Sequence, residues 1–511
     1  MSIQNIRAVK ISRLTTVFAA MLLAACSTAP TQAPVPDTPL SGVFRSTGSA
    51  HDGAVGGAVG GSVGGDPVDA RWWASFGDPL LTAWVDRALE NNHDVAAAVQ
   101  RVRAARAGLD AQASRLWPTV QVQGGASRSS SGLPDTVKQG QPDTRALRLG
   151  MELSWEVDLA GGVSAARNAA AADAQSAQAG AAGVRLLVAS EVARQYFVWR
   201  GAAEQLGVVQ ALAKAQRETA RLVEVRQVGG QSSAFDLDRA RAEADALEAQ
   251  LPPLRTLTGV SQNKLAVLMG ANPSLLPTDS TAPFVWPKAW PVAPGQPSQL
   301  LRRRPDLVAA ESRFAAETLR GHEARAQWWP KLFLSAVTGR QDLQLNALDL
   351  APVRYSSVAL ALVAPVFNAG RIEAAIQGQS ALAQASLHAW QQSVLVAVQE
   401  VEDSLLAQAH ERQRADALAT ALAHRQRSLQ HAQRLLREGQ IDVLALLDVQ
   451  RSVLASELAM SASRLQMQLD AVQLFKALGG GFQTRDSTAV LAEGPAPAGR
   501  VVGADSALNP P

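Results

Sequence analysis

The chain is written twice, and any fold it adopts must accommodate two copies of one large unit. At a spacing of 209 residues, VDLAGG (157–162) aligns with VFNAGR (366–371). The same spacing pairs Glu191-Val192 with Glu400-Val401, Gly230-Gln231 with Gly439-Gln440, and KLAVLMG (264–270) with QLFKALG (473–479). No gap is needed from about 147 to 270, while LWP (116–118) matches WWP (328–330) at a spacing of 212. A period this long means two supersecondary units and excludes a short solenoid repeat.

Each copy carries the same order of elements. An amphipathic helix is expected over 78–115, broken near Asn91-Asn92, and its counterpart over 305–327. Pro118 and Pro330 stop these helices, because proline cannot continue one. Next come two strand-like runs. ALRLGMELSWEV (146–157) puts Leu147, Leu149, Met151, Leu153, Trp155 and Val157 on one face, with Arg148, Glu152, Ser154 and Glu156 opposite. YSSVALALVAPV (355–366) repeats the alternation, which is the period of a half-buried strand. TVQVQGG (119–125) and KLFLSAVTG (331–339) are the weaker partners, and polar segments 126–145 and 340–354 read as hairpin loops. Proline-free spans 164–228 and 372–437 then read as helices that would each reach ~100 Å at 1.5 Å per residue. Gly229-Gly230 and Gly439 turn the chain, and 233–270 and 441–478 run back. Leu444, Leu447, Leu454, Leu458, Leu465, Leu469 and Val472 keep the steps of coiled-coil packing.

The ends set the compartment. Arg7, Lys10 and Arg13 precede the apolar run TTVFAAMLLAA, which reads as an export signal over 1–25. LAAC (23–26) resembles a bacterial lipobox, so Cys26, the only cysteine, is expected to carry a covalent lipid. Residues 26–67, rich in Pro and then Gly, read as a flexible tether, and 483–511 as a disordered tail. The first repeat is expected over 68–270, an equatorial linker over 271–299 and the second repeat over 300–482. Formal net charge is +3 with the signs interspersed, which gives no nucleic-acid patch. Beyond the signal no segment approaches 18 consecutive apolar residues, so a membrane crossing would have to be a closed β-barrel.

A soluble coiled coil needs no alternating ten-residue strands with an apolar face, and a porin needs no ~100 Å helices. Strands of this length suit a tilted crossing of an outer membrane with the apolar face toward lipid. Trp117, Trp155, Trp328 and Trp329 would stand at one end of the hairpins, where aromatic residues mark the headgroup layer. Four strands cannot close a barrel whose smallest bacterial examples have about eight, so subunits must pool strands. Two chains would supply eight strands and three would supply twelve.

DPLLTAWVDRALENNHDV (78–95), LLRRRPDLVAAESRFAA (300–316), APVFNAGRIEAA (364–375) and GQIDVLALLDVQRS (439–452) resemble the TolC-like outer-membrane efflux factors, in the lipoprotein branch typified by OprM and NodT. RRPDL (303–307) and LLDVQR (446–451) are specific to that branch. The resemblance implies a homotrimer with a twelve-stranded membrane β-barrel, a long α-helical barrel across the periplasm and an equatorial layer. It implies two partners, a periplasmic membrane-fusion adaptor and an inner-membrane pump of the resistance-nodulation-division class, and no cofactor or metal beyond the lipid.

The helix beginning near Asp442 raises a question of charge, because Leu444, Asp448, Arg451, Ala455 and Leu458 fall in one stripe. Desolvating charge on a packed face is costly, whereas charge in a wet constriction sets selectivity and closure. By resemblance, Leu444 matches the apolar ring of a closed aperture, and Asp448 and Arg451 match its charged latch. The family's second acidic position is here Ala445. Gly229, Gly230, Gly439 and Gln440 are the expected adaptor-contacting tips, with Asp236 and Arg239 as further candidates near the first. Three rivals remain. An enzyme would rest on GGSVG (60–64), but Ser62 lacks the strand and helix of a nucleophile elbow. A lipid-anchored coiled-coil scaffold would lack a pore, and a related conduit would serve protein secretion or metal-ion export.

Overall fold

The computed structural model describes Phe44, residues 70–130, Gly132, Pro134, 143–275, 284–287, 296–345 and 348–482. The signal segment, Cys26, Ser62 and the tail lie outside them. After a 3-10 helix at Trp72–Phe76, helices α1 (Pro79–Asn91) and α2 (His93–Ser114) lead into strands β1 (Thr119–Ser129) and β2 (Thr144–Val157). Helix α3 (Gly162–Val228) is followed by α4 (Ala234–Glu248) and α5 (Leu251–Leu268). The second half repeats the order with α6 (Leu300–Arg303), α7 (Pro305–Ala326), β3 (Lys331–Leu345), β4 (Leu348–Val363), α8 (Arg371–Arg437) and α9 (Val443–Ala477). α3 and α8 each have 67 residues. The chain divides into two compact units, one holding 101–177 and 309–391, the other 178–308 and 392 onward together with 38–100.

The first unit holds the sheet, antiparallel throughout in the order β1-β2-β3-β4. Its alternation leaves one face uncovered: Leu149 is 62% exposed and Val358 77%. On the other face Tyr355 lies across Gly150 and Gly339, where an added Cβ would stand 2.7 Å from the phenol oxygen. β3 and β4 continue to Leu345 and from Leu348, so most of the segment expected as a loop, 340–354, is strand. Residues 340–345 are mostly polar, and hydrophobic periodicity therefore ends before the backbone pairing does. Asp158 caps α3, accepting from the amides of Val163 (3.2 Å) and Ser164 (2.7 Å).

The second unit is built on an aromatic core. Trp72 stacks on Phe475 at 5.1 Å, and Phe76 packs against Phe197 at the same centroid distance. Phe284 and Trp286, inside the segment expected as a linker, join this core, with Trp286 Nε1 donating to Glu204 Oε2 at 3.2 Å. Phe44, in the expected tether, is 1% exposed. A 67-residue helix hides its contribution to such a core from periodicity, because the packed face changes along its length.

RRPDL acquires a physical meaning here. Arg304 is buried, and its guanidinium donates to Asp306 (2.8 Å), Glu400 (2.6 Å) and the Ala477 carbonyl (3.1 Å). One side chain thus ties the start of α7 to α8 and to the end of α9. Burial works against the charge, but the two carboxylates outweigh it and hold the guanidinium pKa above its ordinary value. At Gly479, φ is +90° and an added Cβ would overlap the Arg303 carbonyl. Arg304→Ala leaves Glu400 without its cation, and losing charged hydrogen bonds to these half-exposed carboxylates costs roughly 1.5–3 kcal/mol. We expect a clear fall in the helical melting temperature by circular dichroism, and Arg304→Lys to recover little of it, because an ammonium lacks the planar fork.

Candidate aperture and membrane sites

The two helical turns are built alike. At the first, Gly230 has φ +73°, Gln231 N donates to Arg226 O at 2.8 Å and Gly230 N to Gln227 O at 3.0 Å. At the second, Gly439 has φ +71°, Gln440 N donates to Leu435 O at 2.9 Å and Gly439 N to Leu436 O at 3.1 Å. These are Schellman turns, in which a left-handed residue satisfies the last carbonyls of a helix. A Cβ at Gly230 or Gly439 would meet nothing within 4 Å, so glycine serves the backbone angle there and not a close approach. Gly229 N bonds Val225 O at 3.1 Å and completes the first turn.

The helices that return are capped differently. Ser233 and Asp236 form a reciprocal capping box, the Asp236 carboxylate accepting from the Ser233 amide at 3.0 Å and hydroxyl at 2.7 Å. These bonds hold the Asp236 pKa below its ordinary value, with nearby Arg239 adding to the effect. In the second copy Asp442 caps α9 through the Ala445 amide at 2.8 Å. Asp236 is therefore engaged in helix capping.

Near these turns α3, α4 and α9 meet around Ala220, Val223, Leu237, Ala240 and the buried Leu447, with Leu444 half-buried at the edge. Asp448 and Arg451 are both exposed. Arg451 reaches away from its own helix: Nε and Nη2 donate to Glu243 on α4, each at 3.0 Å. Glu243 is the main cause holding the Arg451 pKa above its ordinary value, and Asp448 adds a smaller contribution. Sequence reading missed Glu243, since its partner lies 208 residues away and no periodicity links them. Its only local signal was an acidic residue on the returning helix of the first copy.

The four tryptophans stand at the root of the sheet. Trp117, 74% exposed, and Trp328 and Trp329 close the ends of α2 and α7 just before β1 and β3. Trp155 lies near the end of β2 and donates from Nε1 to Leu116 O at 3.0 Å.

A four-stranded sheet with a bare apolar face, joined in series to 67-residue helices, is the architecture of the TolC-like outer-membrane channels. The family model described as outer membrane efflux protein matches residues 84–271 and 296–480, one block for each copy. The chain belongs to this outer membrane efflux protein family. It is similar to the pyoverdine export outer membrane protein OpmQ of Pseudomonas putida, at 34% identity over 82% of this chain and 90% of that one. It is 26% identical to the probable outer membrane lipoprotein SilC of Salmonella typhimurium, over 81% of this chain and 88% of that one. The solved outer-membrane channel OprN superposes with a TM-score of 0.77 at 28% identity, covering 88% of this chain and 99% of that one. The protein is an outer-membrane component of an efflux system, in a family of channels rather than enzymes.

Arg451→Ala removes the bridge between α9 and α4. A half-exposed pair of this kind stabilises by roughly 0.2–1 kcal/mol, so the fold survives its loss. We expect higher single-channel conductance in planar bilayers for Arg451→Ala and Glu243→Gln alike. Asp448→Ala, which leaves that bridge intact, should have the smaller effect.

Proposed function

We propose that three copies of this chain form the exit duct of a tripartite efflux pump. The observation that carries the reading is the sheet: β1 and β4 are its terminal strands, and its apolar face is uncovered. An open edge in lipid leaves backbone N–H and C=O groups unpaired at several kcal/mol each, so β4 of one copy must pair with β1 of the next. Such head-to-tail contacts close into a ring. Three copies supply twelve strands, and the tryptophans at the strand roots mark the periplasmic headgroup layer.

The returning helices carry the aperture. Leu444 narrows it, Arg451 and Glu243 hold α9 against α4, and Asp448 adds negative charge beside them. Gly229-Gly230 and Gly439-Gln440 form the tips that receive a periplasmic adaptor. An inner-membrane pump of the resistance-nodulation-division class supplies the energy. The cargo is small toxic or secreted molecules, in keeping with relatives named for pyoverdine export and toluene efflux. Cys26 carries the lipid anchor, as in a relative named a lipoprotein, and 68–270 and 300–482 are the two repeats.

Size in detergent tests the assembly. Purified full-length protein should run near three times the 53.8 kDa of the chain and form channels in bilayers, and a monomer would overturn the duct. Cys26→Ser should abolish incorporation of labelled palmitate yet leave the protein in the outer-membrane fraction, because the barrel itself inserts.

A further inference from the structure

The uncovered face of the sheet carries an arginine beyond the apolar run of every strand, and on β3 Asp342 and Gln344 follow it. Outward from the roots it reads Val120, Val122, Gly124, Ala126, Arg128 on β1, and Leu153, Met151, Leu149, Leu147, Arg145 on β2. It reads Leu332, Leu334, Ala336, Thr338, Arg340 on β3, and Leu362, Leu360, Val358, Ser356, Arg354 on β4. Arg128 stands directly opposite Arg145, and Arg340 directly opposite Arg354. All four are exposed, and among the described residues none is ion-paired with a carboxylate.

Like charges directly opposed across a strand pair are destabilising, yet this chain carries the arrangement twice. Arg145 and Arg354 are related by the 209-residue spacing, and Arg128 and Arg340 by the 212-residue spacing of the preceding segment. Both pairs therefore occupy one position of the repeated unit. Their offset in register, Leu149 facing Arg340 while Arg145 faces Gln344, is the stagger that tilted barrel strands require. From Trp155 at the root, Arg145 lies ten residues away, roughly 33 Å along the strand. Strand tilt brings that toward the ~25 Å height of an outer-membrane apolar band.

The geometry points to a binding belt for the phosphate groups of the glycolipid, lipopolysaccharide, that forms the outer leaflet of such a membrane. This rests on the barrel proposed above. Guanidinium forks bind phosphate oxygens in bidentate fashion, so one phosphate can bridge two facing arginines and remove their repulsion. The first pair opens on a recess of about 400 Å³ that also holds Ser127, Asp342 and Gln344. With two arginines and one carboxylate, that recess keeps a net positive charge. Both pairs lie beyond the apolar runs, away from the tryptophan roots, and this selects the outer leaflet over the inner.

The thermal dissociation of the full-length oligomer in detergent tests the belt, with lipopolysaccharide, dephosphorylated lipopolysaccharide or phosphatidylglycerol added. We expect only the phosphorylated glycolipid to raise the dissociation temperature of the wild type. The fourfold variant Arg128→Gln, Arg145→Gln, Arg340→Gln, Arg354→Gln should lose the shift, with affinity falling roughly tenfold or more for each pair removed. An equal shift with the dephosphorylated glycolipid, an equal shift with phosphatidylglycerol, or a full shift in the variant would each overturn the belt. Should the variant not assemble, the wild-type comparison of the two glycolipids decides alone. Wild-type protein that is monomeric before any lipid is added would instead overturn the duct.

Discussion

A strand edge is a row of backbone donors and acceptors, and lipid offers them nothing to bond. This constraint governs the molecule. β1 and β4 terminate a four-stranded sheet, and no rearrangement within a single chain can pair them while keeping the apolar face outward. The chain is therefore incomplete as a monomer in a way that a second copy, presenting the opposite edge, corrects. Everything else follows from feeding such a ring with helices, because α3 and α8 start only a few residues after β2 and β4.

Duplication lowers the difficulty of building that ring. A hairpin, a long outgoing helix and a returning helix make one unit, and two units per chain halve the number of chains needed for a given circumference. The cost is that each unit must be held to its twin. Arg304 works within the second copy, joining the start of α7 to α8 and to the end of α9. The aromatic core holds the copies together, with Trp72 and Phe76 of the first against Phe475 of the second. RRPDL, legible as a family signature, is thus a structural clasp within the second copy.

Much of this was readable in the sequence, for identifiable reasons. Strict alternation at 146–157 and 355–366 announced strands because one face has lipid to satisfy. The long helices were legible from the absence of proline, and the turns from glycines at Gly230 and Gly439, whose left-handed angles favour that residue. Three features escaped. Strand at 340–345 and 348–354 was hidden because a mostly polar stretch shows no hydrophobic alternation. The packing of Phe284 and Trp286 was hidden because they interrupt a Pro-rich segment that resembles a linker. Glu243 was hidden because its partner belongs to the other copy.

That last case bears on the proposed aperture. Two identical repeats would give a tube with sixfold pseudosymmetry, in which no contact could be unique to one copy. Here the copies differ where it matters: position 451 is arginine while its counterpart, 242, is alanine, and position 243 is glutamate while its counterpart, 452, is serine. Only one direction of pairing is possible, from α9 of the second copy to α4 of the first. In the trimeric duct proposed above, the bond would reduce sixfold geometry to threefold and give each chain one releasable link. An exposed pair of roughly 1 kcal/mol or less suits the proposed gate, since three of them would hold it at rest and still yield to the binding energy of the proposed adaptor.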